Sequence, residues 1–169
     1  MARRKLVEIT DSKKELKEAI AAGQSALSTT EKILSSLESA EGWGTWDLIG
    51  GGMISDLAKH GHLDDAQNAV NTLQIELRRF KTELADVEIH GDIQVNIDGF
   101  LRFADYFFDG LFADWAVLDK INQSQNQVKQ TKQQVIDVIN RLNGLFSTVN
   151  QEYAYTKQKL EQVISKVDM

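Results

Sequence analysis

The sequence predicts an all-α protein: an elongated antiparallel helical hairpin or bundle with coiled-coil-like seams and one long C-terminal helix. Three observations support this prediction. Apolar residues recur at alternating spacings of three and four over most of the 169 residues. The chain contains no proline, so the commonest helix breaker is absent. It also contains no cysteine, which excludes disulfides and thiolate ligands from its folding and chemistry.

A first helix is predicted over about residues 12–41. The stretch from Ser12 to Glu15 has the form of a capping box, in which both side chains satisfy free backbone N–H groups at a helix start. An apolar seam with spacings of four and three follows, and this pattern is typical of one face of a helix. The seam consists of Leu16, Ile20, Gly23, Leu27, Thr30, Leu34 and Leu37.

A second helix is predicted over about residues 55–88, and its seam is clearest from Leu63 to Val87. In residues 89–99 the period changes from 3.5 to 2, because apolar and polar residues alternate between Gly-Asp and Asp-Gly pairs. We therefore expect an extended connector there, which contains at most one short strand. A strand needs a partner, and the only candidate is Leu6 to Thr10.

A third helix is predicted over about residues 100–166. Its first sixteen residues form an aromatic segment, 100–115, which is apolar on more than one side and should be covered by more than one neighbour. The aromatic residues are Phe100, Phe103, Tyr106, Phe107, Phe108, Phe112 and Trp115. A seam then continues in one register from Leu118 to Val163, so the helix is expected to pass through Asn143-Gly144 without a break.

Two arrangements of these helices fit their lengths. In the first, an antiparallel hairpin has its tip near residues 89–99, so that residues 12–41 lie opposite residues 135–166. The alternative is an up-down-up three-helix bundle with an overhanging last helix, which would bring residues 6–10 beside residues 93–97. Either arrangement leaves apolar surface that a second copy could cover, so a homo-oligomer is expected.

The most specialised part of the sequence is a Gly/Trp-rich insert, predicted over residues 42–54, together with the start of the second helix. Residues 41–62 hold six of the eleven glycines, two of the three tryptophans and two of the three histidines. We expect this region and the aromatic segment to form a binding surface. Its candidate contact residues are Trp43, Trp46, His60, His62, Asp64 and Tyr106.

The same region offers weak candidates for a metal site. His60, His62 and Asp64 provide the nitrogen and oxygen ligands that divalent transition metals bind. Their spacing matches no established metal motif, and an aspartate in the first turn also stabilises the helix dipole. The glycines at 50–52 lack the Gly-Lys-Ser/Thr of a phosphate-binding loop. No catalytic residue stands out, and no cofactor is expected.

A Trp-Gly turn between two helices resembles the turn of the small secreted WxG helical hairpins of type VII export. The resemblance covers only Trp43-Gly44, which lacks the residue between tryptophan and glycine. In the export tail of that family an acidic residue follows a tyrosine by four residues. This chain does not match that pattern, because Tyr153 and Tyr155 are followed by lysines at that spacing. The resemblance implies a secreted helical effector as an alternative function.

Charge limits the classes of partner. The net charge is −6, and residues 41–115 hold fourteen acidic residues against five basic ones, which argues against a nucleic-acid partner. A membrane-contacting surface is less favoured, because the aromatic segment carries three aspartates and only Arg102. We expect a cytoplasmic, non-enzymatic scaffold or adaptor that binds proteins. The alternatives are a metal-dependent enzyme using His60 and His62, and a membrane-associated or secreted effector.

Overall fold

The computed structural model describes residues 2–47, 62–87 and 118–167, and the side chains of most of them. These residues form three helices: α1 (Ala2–Asp47), α2 (His62–Asp86) and α3 (Leu118–Val167). The described part contains no strand. The prediction of an all-α bundle with one long C-terminal helix is confirmed.

α1 begins at Ala2, ten residues before the predicted start. Ser12 therefore lies inside the helix, where its Oγ donates a hydrogen bond to the carbonyl oxygen of Glu8 at 3.1 Å. The prediction of a capping box at Ser12 is wrong. A buried hydroxyl in a helix can bond to the carbonyl four residues earlier, so the serine does not have to begin the helix.

The first ten residues of α1 are also helical because their side chains support each other at helical spacing. Arg4 Nε and Glu8 Oε1 are 3.1 Å apart, one turn along the helix, and Ile9 continues the buried face toward Leu16. The expectation that Leu6 to Thr10 could pair as a strand is therefore wrong. The alternation that suggested an extended connector at residues 89–99 lies outside the described residues.

At its other end, α1 continues to Asp47. Trp43 and Gly44 are thus helical, and the Trp-Gly turn implied by the resemblance to WxG hairpins is not present. The Gly/Trp-rich insert begins inside α1, and its remainder from residue 48 lies outside the described residues. A helix can accept isolated glycines at a cost of about 1 kcal/mol each, so Gly42 and Gly44 do not suffice to end α1.

The seam predicted for α2 is buried at every position that the structure describes. α2 begins at His62, and residues 55–61 of its predicted range lie outside the described residues. Its apolar side chains repeat at spacings of three and four and share one face of the helix. The buried residues are Val70, Leu73, Leu77, Phe80, Leu84 and Val87.

α3 is continuous over 50 residues, or about 75 Å at a rise of 1.5 Å per residue. The helix passes through Asn143-Gly144, which confirms the predicted continuity. Gly144 is exposed, and a Cβ placed on it would meet nothing within 4 Å, so this glycine neither ends the helix nor serves a close contact. Residues 100–117 of the predicted third helix lie outside the described residues.

α1 is the central helix and packs against both α2 and α3. Ion pairs join Lys5 to Glu152 at 2.8 Å and Glu31 to Lys132 at 3.0 Å, so α1 and α3 run antiparallel. The direction is that of the predicted hairpin, but the register differs, because the matching of helix lengths would place Lys132 beyond residue 41 of α1.

The register differs because α2 folds back on α1 instead of extending the hairpin. Ser25 Oγ donates a hydrogen bond of 2.6 Å to Glu76 Oε1, and Gly23 lies against Phe80. A residue earlier in α1 thus contacts a residue later in α2. α2 is therefore antiparallel to α1 as well, a feature of the predicted three-helix alternative. It follows that α2 and α3 point in the same direction, and they make few close backbone contacts with each other.

The three helices come close together at Gly23. A Cβ on this residue would lie 2.9 Å from Ile139 Cγ1 of α3 and 2.9 Å from Phe80 Cζ of α2. Glycine is required here because any side chain would occupy space already filled by the two neighbouring helices. The buried face of α1 is also wider than the single predicted seam, because α1 has two neighbours. Its additional members are Ala19, Ala22, Ala26, Thr29 and Ile33.

Candidate interaction surface

The sequence-predicted contact residues are only partly within the described structure. Trp43 and Trp46 lie in the last turns of α1, while His62 and Asp64 lie in the first turn of α2. Antiparallel packing places these two helix ends at the same end of the bundle. The side chains of these four residues, and the whole of His60 and Tyr106, lie outside what the structure describes. Their role in binding stays a prediction.

Two features are absent from the described residues, a metal-binding cluster and a membrane-crossing helix. No group of three or more histidine, aspartate or glutamate side chains in that part of the chain is placed to hold a metal ion. None of the described helices is both long enough and apolar enough to cross a membrane. The side chains of the metal candidates His60, His62 and Asp64 lie outside the described residues.

A groove lies at the opposite end of α1, between its N-terminal turns and the C-terminal turns of α3. We call it the terminal groove. Its volume is about 360 Å³, and most of its surface is apolar. Its walls come from two helices that an ion pair between Lys5 and Glu152 holds together. The lining residues are Arg3, Leu6, Val7, Thr10, Asp11 and Leu160.

Helical spacing brings the α1 side of the groove together. Leu6 and Thr10 are one turn apart and share a face, with Arg3 and Val7 beside them. The hydroxyl of Thr10 donates to the carbonyl oxygen of Leu6 at 2.7 Å, so it needs no partner in the groove. The groove can therefore accept an apolar side chain without leaving this hydroxyl unpaired.

Exposed apolar residues are more frequent at the end of the bundle that holds the terminal groove. Five large hydrophobic side chains in the described part of the chain are exposed, and four of them belong to this end of the bundle. Val7 and Val163 are each 60% exposed, Tyr155 is 58% exposed and Ile164 is 43% exposed. Single exposed apolar residues are ordinary, but an apolar groove at the end of the bundle that holds most of them is typical of a binding surface.

This end of the bundle is basic, in contrast to the chain as a whole. Residues 3–14 and 152–165 contain seven lysine and arginine residues and four acidic residues, a net charge of +3, whereas the full chain carries −6. Glu152 raises the pKa of Lys5 above its usual value by a hydrogen bond and by its charge. Of the residues that line the terminal groove itself, Arg3 is basic and Asp11 is acidic.

Two of these lysines make cation–π contacts with tyrosine rings on α3. Lys13 Nζ lies 4.3 Å from the centre of the Tyr153 ring, and Lys159 Nζ lies 4.5 Å from the centre of the Tyr155 ring. Such contacts let the lysine stems cover apolar surface while the charges stay in water. The surface is therefore both apolar and positively charged, a combination that suits an acidic, amphipathic partner.

Comparisons with known proteins return no relative: no protein-family model, no curated protein and no solved structure matches the chain. Reasoning from the sequence missed the terminal groove, because it started the first helix at Ser12 and considered Leu6 to Thr10 only as a possible partner for a strand. The signal that could have found it is local. Arg4 and Glu8 are spaced for an ion pair on a helix, and this spacing indicates that the seam begins before Ser12.

Proposed function

We propose that this is a non-enzymatic helical protein whose function is to bind or assemble proteins, and that the terminal groove is one of its contact surfaces. The proposal is supported by the apolar groove and by the exposed apolar side chains at the same, basic end of the bundle. Burial of apolar area drives association, while charges steer the partner and select its orientation. A cytoplasmic location and coiled-coil-like seams are parts of the same proposal.

The partner should be an acidic segment with apolar residues. A second copy of this chain meets the charge requirement, because residues 41–115 carry fourteen acidic residues against five basic ones. The terminal groove of one copy would then contact the acidic region of the next, and the homo-oligomer would be joined by two different surfaces. Because charge contributes to this contact, added salt should weaken it.

The test is self-association at micromolar concentration, measured by light scattering and sedimentation equilibrium at low and high salt. We expect the wild type to associate and the Val7→Asp/Val163→Asp double variant to be monomeric. Ser28→Asp/Asn140→Asp is the matched control, since both residues are exposed, lie on the same two helices as the valines and do not line the groove. A helical circular dichroism spectrum confirms that each variant folds.

A monomeric wild type at both salt concentrations would contradict the second copy as partner. A separate binding experiment then tests the protein-binding function, using immobilised wild type and the double variant against a synthetic acidic amphipathic helix. Equal binding to both would exclude the terminal groove. A Trp43→Ala/Trp46→Ala variant in the same series tests the sequence-predicted contact surface independently.

A further inference from the structure

The terminal groove continues along the bundle between one stripe of α1 and one stripe of α3. The α1 stripe starts with two residues that line the groove and continues at helical spacing. The α3 stripe also starts with a residue that lines the groove and continues toward the middle of the helix at spacings of seven. The α1 stripe consists of Leu6, Thr10, Lys13 and Lys17, and the α3 stripe consists of Leu160, Tyr153 and Phe146.

The lysines of the α1 stripe lie against the aromatic rings of the α3 stripe. Lys13 Nζ is 4.3 Å from the centre of the Tyr153 ring, and Lys17 Nζ is 5.7 Å from the centre of the Phe146 ring. Both distances are within the range of a cation–π contact, and both rings are half-buried between the helices. The rings therefore position two ammonium groups one helical turn apart, about 6 Å at 1.5 Å per residue. We call Lys13 and Lys17 the lysine pair.

The lysine pair supplies a positive charge that the lining of the terminal groove lacks. Within that lining, the charges of Arg3 and Asp11 offset each other. Lys14, which follows directly after the first member of the pair, lies 3.7 Å from the carboxylate of Glu18. Neither member of the lysine pair makes an ion pair with a described residue. Since an ammonium group has three N–H donors and a ring covers only one side of it, each lysine can still bind a carboxylate.

We propose that the lysine pair binds two carboxylates, one turn apart, on the same partner helix that places an apolar side chain in the terminal groove. This inference rests on the function proposed for the groove and adds the residue pattern that its partner needs. Burial of the apolar side chain supplies affinity, while the lysine pair selects the partner by charge and fixes its position along α1.

The spacing of the stripe on α1 gives the spacing of the partner's residues. The lysine pair lies seven and eleven residues after Leu6, or about 10–17 Å along the helix at 1.5 Å per residue. A partner helix that lies along the two stripes needs the same separations, so its carboxylates lie seven and eleven residues from its apolar residue. At 100° per residue these three positions fall within about 20° of one line, and one face of the partner can present all of them.

Synthetic alanine-rich helical peptides test this pattern against the full-length protein by fluorescence anisotropy. The matched peptide carries one leucine with glutamates seven and eleven residues from it. The control peptide has the same composition, but its glutamates are five and nine residues from the leucine and lie on the opposite face. Each peptide is made in both chain directions.

Two double variants separate the charge of the lysine pair from its packing. Lys13→Met/Lys17→Met keeps an apolar stem over each ring and removes both charges. Lys14→Met/Lys32→Met is the matched control, because Lys14 and Lys32 are exposed on other faces of α1. Lys13→Arg/Lys17→Arg keeps both charges and should bind as the wild type does. Circular dichroism and thermal melting establish that each variant folds.

We expect the wild type to prefer the matched peptide, in one of its two directions, over the control peptide. The Lys13→Met/Lys17→Met variant should bind the matched peptide roughly three- to tenfold more weakly, the effect of two partly exposed ion pairs, and Lys14→Met/Lys32→Met should bind it as the wild type does. Equal affinities for the two peptides, or for the two methionine variants, would overturn the proposal. A lower melting temperature of Lys13→Met/Lys17→Met without a loss of affinity would assign the lysine pair a structural role only.

The Val7→Asp/Val163→Asp variant distinguishes this proposal from the function proposed for the groove. If it loses the matched peptide while Lys13→Met/Lys17→Met keeps it, the lysine pair is excluded and the groove remains. If only the lysine variant loses the peptide, the groove is excluded as the site of the apolar side chain. Failure of the wild type to bind either peptide would overturn both.

Discussion

The middle of α1 and its N-terminal end face their neighbours with different side chains. In the middle, Gly23 lies between Phe80 and Ile139, so that α1 approaches two helices closely. At the N-terminal end, Leu6, Val7 and Leu160 line an open apolar groove. Both regions belong to one continuous helix with one apolar pattern. The comparison shows that a heptad seam alone does not distinguish a packed core from a binding surface. Which of the two a seam forms depends on how many neighbouring helices cover it.

The first prediction concerns Phe80, a fully buried aromatic residue in the middle of the bundle. Phe80→Ala should lower the free energy of unfolding by about 3–5 kcal/mol, because it removes buried apolar atoms and leaves a cavity. Urea unfolding followed by circular dichroism measures this change. Ile75→Ala on the exposed face of the same helix should change stability by no more than about 0.5 kcal/mol. If Phe80→Ala lowered the free energy of unfolding by no more than Ile75→Ala does, the middle of the bundle would be loosely packed.

The second prediction compares two helical glycines. Gly23→Ala should destabilise the protein by about 1 kcal/mol, since overpacking typically costs about 1–3 kcal/mol and exceeds the gain in helix propensity. Gly144→Ala should stabilise it by about 0.5–1 kcal/mol, because nothing lies near a Cβ there. Thermal melts measure both. Changes of the same sign would contradict the close approach of three helices at Gly23.

The third prediction concerns a polar atom in the packed part of the bundle. Gln134 Oε1 is buried and has no hydrogen-bond partner among the described residues. Gln134→Leu should therefore stabilise the protein by about 1 kcal/mol, because it removes the desolvation cost of an unpaired acceptor. Gln130→Leu, at an exposed position on the same helix, is the control and should have little effect. A loss of stability in Gln134→Leu alone would show that the amide makes a necessary contact.

The fourth prediction concerns stability at the terminal groove. Val7→Asp/Val163→Asp should change the free energy of unfolding of the monomer by no more than about 0.5 kcal/mol per site, because both side chains are mostly exposed. This experiment uses urea unfolding at a protein concentration low enough to exclude association. A loss comparable to that of Phe80→Ala would place these valines in the core and remove the contrast between the two regions.

The smallest expected effect is electrostatic. Glu152 raises the pKa of Lys5 above its usual 10.5, so the ion pair adds stability that is complete below that pH and is lost as the pH rises through the pKa in the folded state. The wild type should therefore lose slightly more stability above pH 10.5 than Glu152→Gln does. Unfolding at several alkaline pH values measures the difference, which should be small because the pair is exposed. A larger loss in the variant would contradict the assigned pair.

The helices of this protein were predictable where the apolar pattern is regular. The seam of α2 from Val70 to Val87 and the continuity of α3 through Gly144 follow from spacing alone, because a period of 3.5 places these residues on one face. The start of α1 was not predicted. The sequence of Ser12 to Glu15 satisfies the rule for a helix start, yet the same hydroxyl can bond to a carbonyl inside a helix, and local sequence does not choose between these two roles.

The sequence by itself determined that the described segments are helical, which faces of α2 and α3 are buried, and that the charge is distributed unevenly. These properties depend on local spacing and composition. Only the tertiary structure decided that α1 has two neighbours, that Lys132 lies opposite Glu31, and that Leu6 and Leu160 line a groove. The physical reason is that heptad seams are interchangeable apolar surfaces, so partner and register are selected by close fit at a few points, such as glycine at position 23.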